Sequence, residues 1–364
     1  MFSRLILTSL LFFFISSCNQ AQTLSVEELQ LKPPSNIHCT TVKDQHMSST
    51  CWSFASNSLL ESDLLKKGLK DVDLSEMFVA RYSYLRKIKR HLQLKGGNFF
   101  TPGGQFHDVI WVARNYGMVP ESAYPGLTDG NSSHNHAKLD TVIKHFVDDL
   151  LAKGMNDLDE EGRHFADSVF DHYLGPVPDH FIYQGKEYTA QTYLREVLSF
   201  NPDDYIEITS YTHHPFYKKF VLEDKYNWTN DEYYNVPLED FSAIADLALK
   251  NGFSVGWDGD ANDPGFAFYD GLAYLDGDGK TTAVQRQQAF EDHSTALDHM
   301  MHIVGVAKDK NGHKWYYVKN SWGQYSNELD GFLYMREDYF RIRTVAIIVN
   351  KNALSTATRQ KLGL

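Results

Sequence analysis

Hydrophobic residues recur at helical spacing over the first half of the chain and in short alternating or continuous runs over the last third. The spacing of three and four residues predicts helices over 51–67, 106–116, 139–153, 189–200 and 238–250. Runs typical of strands cover 253–257, 302–307, 314–319 and 331–335. Helices followed by strands predict an α+β fold with segregated lobes.

These patterns divide the chain into blocks. We expect a helical lobe over 36–126, a β-rich lobe over 236–350 and a C-terminal arm over 351–364. The intervening residues, 127–235, are rich in Asp, His and Tyr and are predicted to form a large, mostly helical insertion.

The N-terminus has the features of a targeting segment. Arg4 precedes an apolar run over 5–15, which is too short to cross a bilayer and is typical of a signal peptide. The run ends in Ile15-Ser16-Ser17-Cys18, which resembles the bacterial lipoprotein processing site. We therefore predict a signal peptide over 1–17, a lipid on Cys18 and a tether over 18–35. An ordinary secretory signal with an accidental cysteine is the alternative, and both interpretations predict export, with the lipid placing the protein on a bacterial membrane facing the periplasm or the exterior.

Composition and charge narrow the classes of function. The 364 residues carry a formal net charge of −12, so their overall field opposes binding to nucleic-acid phosphates. The chain has three cysteines. If Cys18 carries a lipid, the remaining pair is Cys39 and Cys51, and a requirement for a free Cys51 predicts no disulfide.

Cys51 stands where a helix is predicted to begin. Ser49 or Thr50 can cap that helix, and Lys66-Lys67-Gly68 supplies a cationic last turn and a stop. A helix N-terminus favours an anion, so we expect a lowered thiol pKa and a reactive thiolate. A buried structural cysteine is the alternative at this level.

The residues around Cys51 carry a family resemblance. Gln45 lies six residues before the run Cys51-Trp52-Ser53-Phe54-Ala55, and this arrangement resembles the active-site signature of papain-like cysteine peptidases. The resemblance implies a two-lobed fold, with the nucleophile on the helical lobe and an antiparallel, β-barrel-like second lobe. It also implies that the Gln45 amide and the Cys51 backbone N–H form an oxyanion hole.

Two later segments resemble the rest of that active site. The segment 297–305 is similar to the histidine strand of the family, and its Gly305 aligns His299 with the catalytic base. Asn320-Ser321-Trp322-Gly323 is similar to the family's orienting motif. Asn320 is then expected to hold the imidazole, and Trp322 to shield that hydrogen bond from water.

Other histidines and acidic runs have simpler interpretations. His302 is expected on the face of the strand opposite His299, as a packed or surface residue. No HExxH motif is present, the run 276–279 lacks the full calcium-loop spacing, and the sequon at Asn227 is read as chance. We therefore expect no metal and no cofactor. The remaining histidines singled out are interpreted as solvated loop residues: His134, His136, His213 and His214.

The chain departs from secreted papain-like enzymes, because it has no cysteine next to Thr50 and carries about 170 residues between Pro125 and His299. Together with the segments 74–78 and 103–108, these departures resemble the aminopeptidase C and bleomycin hydrolase branch.

The branch implies that Gly103 and Gly104 line the substrate cleft and that the Leu364 carboxylate, on an arm within the cleft, pairs with the α-amino group of a peptide substrate. Members of this branch often form ring-like oligomers, so the resemblance allows for a homo-oligomer. The alternatives are an endopeptidase with an open cleft and a non-catalytic lipoprotein that binds peptides; a frayed C-terminal tail is the alternative for Leu364.

Overall fold

The computed structural model describes residues 24–128, 130–277 and 279–364. The predicted signal peptide and Cys18 lie outside these residues. Within them, none of the helices combines the length and apolar character that a membrane crossing requires.

The helices are those that the hydrophobic spacing predicts, with several additions. In chain order they are α1 (Val26–Leu29), α2 (Cys51–Lys66), α3 (Glu76–Gln93), α4 (Phe106–Tyr116), α5 (Ala137–Ala152), α6 (Glu160–Leu174), α7 (Ala190–Thr192), α8 (Leu238–Lys250), α9 (Ala283–Glu291), α10 (Glu337–Arg343) and α11 (Thr356–Leu362).

The strands form a small hairpin and one large sheet. They are β1 (Phe181–Tyr183), β2 (Lys186–Tyr188), β3 (Tyr205–Thr209), β4 (Lys219–Val221), β5 (Glu232–Asn235), β6 (Val255–Gly259), β7 (Phe266–Ala267), β8 (Leu272–Ala273), β9 (His299–Lys308), β10 (Lys314–Lys319), β11 (Phe332–Arg336) and β12 (Thr344–Asn350). The large sheet has the order β4-β5-β3-β12-β6-β9-β10-β11-β8-β7 and is antiparallel except at β3/β5 and β11/β8.

The predicted insertion over 127–235 is not helical along its whole length. Residues 205–235 contribute β3, β4 and β5 to the large sheet, and β3 pairs in antiparallel register with β12. The segment 189–200, predicted to be helical, is helical over 190–197, where α7 continues into a π-helix at Tyr193–Val197. Pairing with an existing strand edge, which no local pattern reveals, decides the conformation of 205–235.

Two hydrophobic cores correspond to the two lobes. One packs α2 to α6 around buried residues such as Trp52 and Phe78, and the other packs α8 and α10 against the sheet around Phe241 and Trp257. Met300 of β9 belongs to the helical core, so this strand joins the lobes where α2 meets the sheet. The chain therefore has an α+β fold, and this junction positions the candidate site.

Candidate active site

A cleft of about 340 Å³ lies between the first turn of α2 and the start of β9. It is lined by Gln45, Ser49, Cys51, Trp52, Thr101, Pro102, Gly103, Gly104, Tyr226, Leu297, Asp298, His299, Met300 and Trp322. The residues singled out in the sequence as nucleophile, base and oxyanion donor therefore face one cavity.

Helix α2 begins at Cys51, as the sequence predicts. The predicted side-chain cap is wrong, because Thr50 occupies the N-cap position without capping the helix and its hydroxyl bonds to Ser48 Oγ instead. Ser53 N–H donates to the Thr50 carbonyl at 2.8 Å, so the first-turn donors left to the cleft are the N–H groups of Cys51 and Trp52. Cys51 itself is half-buried and is not in a disulfide; Cys39 is also free.

The imidazole of His299 is fixed by Asn320. His299 Nε2 donates to Asn320 Oδ1 at 2.7 Å, and Ser321 N–H donates to the same oxygen at 2.8 Å. The Ser321 bond fixes the orientation of the amide, because it requires the oxygen on that side. His299 Nδ1 is therefore the ring nitrogen left for proton exchange.

Trp322 covers this pair. Its ring stacks on the imidazole with centroids 4.9 Å apart and an interplanar angle of 29°. His299 and Asn320 are both buried, so the indole limits the access of water to their hydrogen bond.

Gln45 is held by the same segment. Ser321 Oγ donates to Gln45 Oε1 at 2.7 Å, and Gln45 N–H donates to the Ser321 carbonyl at 2.9 Å. Because its side-chain oxygen is engaged, Gln45 has its Nε2 donors available to the cleft that it lines. Ser321 thus orients two site residues, a role that the sequence did not reveal.

The predicted lowering of the thiol pKa is wrong for this arrangement. Burial raises the pKa of Cys51 to about 11; the backbone N–H groups of Met300 and Trp52 lower it, and the carboxylates of Asp258 and Asp298 raise it further. Desolvation therefore outweighs the helix N-terminus.

The imidazole is likewise neutral. Burial lowers the pKa of His299 to about 4, and the hydrogen bond to Asn320 counteracts part of this shift. The thiol and the imidazole thus rest as an uncharged pair, and a thiolate requires a proton transfer within the cleft.

Gly103 and Gly104 line the cleft, where the sequence predicted them. A Cβ on Gly104 would lie 2.7 Å from the Trp52 ring, and a Cβ on Gly103 would lie 3.1 Å from Tyr226 Cδ1. Packing against the Trp52 ring requires a glycine at position 104, whereas a Cβ at position 103 would need Tyr226 to shift slightly. This packing role of the two glycines is separate from their predicted contact with a substrate backbone.

The prediction that Leu364 reaches the cleft is wrong. Leu362 is buried in the core beside α8, and Lys361 Nζ lies 3.2 Å from Asp240 Oδ2 of α8. The Leu364 N–H donates to the Arg359 carbonyl at 2.9 Å, which closes α11. Burial of Leu362 therefore holds the C-terminus away from the residues that line the cleft.

A buried polar network lies behind the cleft. His302 is fully buried, and its Nδ1 lies 2.9 Å from Ser58 Oγ of α2. Lys319 Nζ donates to the same hydroxyl at 2.8 Å. His302 is thus a packed residue, one of the two outcomes expected for it, and the network ties α2 to β9 and β10.

One pair of histidines, His134 and His136, is less exposed than the sequence indicated. His136 is fully buried and His134 is half-buried, and the pair brackets Met47 in the loop that carries Gln45. Met47 N–H donates to the His134 carbonyl, and His136 N–H donates to the Met47 carbonyl, each at 3.1 Å. These histidines therefore brace the Gln45 loop.

A group of ligand-type atoms lies outside the cleft. Nitrogens of His213 and His214 and an oxygen of Glu223 lie within 4.8 Å of one another. Gln287 Nε2 donates to His213 Nδ1 at 2.8 Å, and its Oε1 accepts from Thr212 N–H at 2.6 Å, which fixes the amide. The His213 proton is then on Nε2, so this group is a hydrogen-bonded cluster centred on Glu223.

The fold and the cleft are those of a cysteine peptidase, and comparisons with known proteins agree. PepW from Lactobacillus rhamnosis has a crystal structure that superposes with a TM-score of 0.68 at 20% identity, over 91% of this chain and 85% of that one. The sequence signature of the Peptidase C1-like family matches residues 16–363, so the chain belongs to that family.

Several curated relatives with similar sequences are aminopeptidases by name, and others are named cysteine proteinases. Aminopeptidase G of Lactobacillus delbrueckii subsp. lactis is 25% identical over 88% of this chain and 83% of its own length. Aminopeptidase C of Streptococcus thermophilus is 24% identical over 86% of this chain and 81% of its own. The family resemblance stated from the sequence is thereby confirmed.

Acidification should weaken the fold through His136. Burial lowers the pKa of His136 from 6.5 to about 4, so between these values the unfolded chain binds the proton that the folded chain excludes. Stability should therefore fall as pH decreases from 6.5 to 4, by up to about 3 kcal/mol from this group. Urea unfolding at a series of pH values measures the slope.

The matched variants are His136→Gln and His164→Gln, since His164 has a side chain that is 78% exposed. The first should reduce the slope of unfolding free energy against pH, and the second should leave it unchanged. An equal slope in both variants would contradict the assignment to His136.

Proposed function

We propose that the protein is a cysteine aminopeptidase that uses Cys51, His299 and Asn320 as a catalytic triad, with Gln45 in the oxyanion hole. The observation that supports this proposal most directly is the 2.7 Å hydrogen bond from His299 to Asn320, with His299 in the same cleft as Cys51. The named aminopeptidases among its relatives support the reaction class.

The acylation step begins from the neutral pair. The proton of the Cys51 thiol passes to His299 Nδ1 while the sulfur forms a bond to the peptide carbonyl carbon. Gln45 Nε2 and the Cys51 backbone N–H donate to the carbonyl oxygen as it becomes negative. The imidazolium then gives its proton to the leaving amine as the C–N bond breaks, which leaves a thioester.

The deacylation step uses the same groups. Neutral His299 takes a proton from water as the water oxygen attacks the thioester carbon. The C–S bond breaks, the carboxylic product leaves, and the imidazolium returns its proton to the sulfur. Asn320 keeps Nε2 protonated throughout, so that Nδ1 carries every transfer.

An endopeptidase remains the second candidate. The position of Leu364 favours it, because the chain's own C-terminus does not occupy the cleft. Binding of a substrate that extends on the N-terminal side of the cleaved bond then depends on which other residues limit the length of the cleft. The non-catalytic peptide-binding role is disfavoured, since a binding module has no need for a tryptophan-covered His299–Asn320 bond.

Replacing the nucleophile should abolish turnover. Cys51→Ala removes the only thiol among the described residues that line the cleft, so peptide hydrolysis should fall by more than about a thousandfold with the melting temperature retained. Cys39→Ala is the control, since Cys39 is a free cysteine outside the cleft lining. Steady-state hydrolysis of a fluorogenic aminoacyl amide measures both; full activity of the Cys51 variant would refute the assignment.

A free N-terminus should be required. The wild-type enzyme should hydrolyse an aminoacyl fluorogenic amide with a kcat/KM at least about a hundredfold higher than that for its N-acetylated form. The reason is that acetylation removes the charged amine that an aminopeptidase site recognises. Equal rates on the two substrates would identify the endopeptidase instead.

We also propose that Cys18 carries the lipid that anchors the exported protein to a bacterial membrane, on the strength of the processing-site resemblance. In cells fed radiolabelled palmitate, the wild-type chain should be labelled and should sediment with membranes. Cys18→Ser should lose both properties, whereas Cys39→Ser should keep them. Unlabelled wild-type protein would support the ordinary secretory signal.

A further inference from the structure

One wall of the cleft is a short segment without regular secondary structure. Residues 101–104, the 101–104 segment, line the cleft together with Cys51. A second cavity, of about 400 Å³, has Thr101 and Pro102 in its lining as well. These two residues thus adjoin two cavities, so hydrogen bonds rather than close packing fix their position.

Lys87 of α3 supplies two of these hydrogen bonds. Its Nζ donates to the Thr101 carbonyl at 2.7 Å and also to the Gly103 carbonyl. Trp52 Nε1 donates to the intervening Pro102 carbonyl at 3.2 Å. Three successive carbonyls of the 101–104 segment are therefore held by side chains of α2 and α3.

The amino group of Lys87 is buried without a carboxylate partner. The residue is 2% exposed, and in the part of the chain that the structure describes it forms no salt bridge. Burial lowers the pKa of Lys87 to about 8, and the charges of Asp108 and Asp140 counteract part of this shift. Burying an amino group costs free energy, and the bonds to the two carbonyls offset that cost. The 101–104 segment is thus the main partner of a costly buried group.

The bond from Lys87 to the Gly103 carbonyl also sets the direction of the next N–H group. In a trans peptide unit the C=O and N–H bonds point in opposite directions, and no described peptide bond is cis. The Gly104 N–H is therefore directed away from Lys87, and no group among the described residues accepts from it. Because Gly104 lines the cleft, this N–H is a donor available to a ligand that offers a carbonyl oxygen.

We propose that Lys87 is a positioning residue for substrate binding. It holds the peptide plane between Gly103 and Gly104, so that the Gly104 N–H donates to a backbone carbonyl of the bound peptide. This inference rests on the proposed function, and it assigns part of the affinity for substrate to a residue of α3 that does not line the cleft.

Replacing Lys87 should weaken substrate binding. Lys87→Met keeps much of the side-chain volume and removes the donors, which releases the peptide plane. The KM for an unblocked tetrapeptide should rise about tenfold with kcat changed less than about twofold, because the lost bond stabilises the bound substrate and the transition state alike. Chromatography of the products measures both constants, and melting temperatures establish that each variant is folded.

Two further variants complete this series. Lys87→Gln retains a donor on a shorter side chain and should give an intermediate KM. Lys89→Met is the matched control, since Lys89 lies on the same helix with a side chain that is 55% exposed, and it should change neither constant.

The reactivity of Cys51 separates positioning from a general disruption of the site. Alkylation of the thiol by iodoacetamide depends on Cys51 and His299 and needs no bond from the Gly104 N–H. Its rate should therefore differ less than about twofold between the wild type and Lys87→Met. A parallel loss of alkylation and hydrolysis would show that the substitution disrupts the whole site, and it would overturn the positioning role.

Hydrogen exchange tests the donor with Lys87 in place. In the Cys51→Ala protein, which binds a peptide without consuming it, the Gly104 N–H should exchange at least about tenfold more slowly with saturating tetrapeptide than without it. Nuclear magnetic resonance resolves this single amide. Equal exchange in the two states would overturn the inference, even where the Lys87 variants fail to fold.

The outcomes separate this inference from the proposed function. A wild-type enzyme that hydrolyses no peptide refutes the proposed function itself. An active wild-type enzyme, together with a folded Lys87→Met variant of unchanged KM, overturns the positioning role and leaves the proposed function standing.

Discussion

The packing of α2 against β9 is the constraint on which the site depends. The helix presents Cys51 at its first residue, the strand presents His299 at its first residue, and Met300 packs into the core of the helical lobe. Behind this contact, Ser58 of α2 bonds to His302 of β9 and to Lys319 of β10. A shift of the helix along the strand would have to break buried polar bonds, so Cys51 and His299 are held in a fixed relation.

The same packing determines the charge state of the site. Excluding water from the junction removes the solvation that a thiolate or an imidazolium would need, and this effect exceeds what the helix terminus supplies at Cys51. The helix N-terminus at Cys51 predicts a lowered thiol pKa, whereas burial here favours the uncharged thiol and the uncharged imidazole. In the proposed mechanism, charge separation is coupled to the arrival of the carbonyl, whose developing oxyanion meets preoriented donors.

Local patterns predicted some parts of the molecule well. The helices over 106–116 and 238–250 and the strand over 314–319 match α4, α8 and β10 at both ends, since amphipathic spacing and flanking polar residues define them. The site positions Gln45, Cys51, His299 and Asn320 were found because short motifs carry them, and the structure brings all four together.

Features that depend on distant pairing were missed. β3 forms because it meets β12, and α11 turns away because Leu362 finds room beside α8. A local stretch of the sequence reveals neither the pairing of β3 with β12 nor the contact of Leu362 with α8.

The placement of α11 has a practical consequence for the construction of fusions. Leu364 is 37% exposed and follows a helix anchored on α8, away from the residues that surround Cys51. A reporter domain or affinity handle joined after Leu364 would therefore extend from the β-rich lobe and leave the entrance to the cleft clear. In a peptidase whose tail fills its own cleft, the same attachment would displace the tail and alter the reaction.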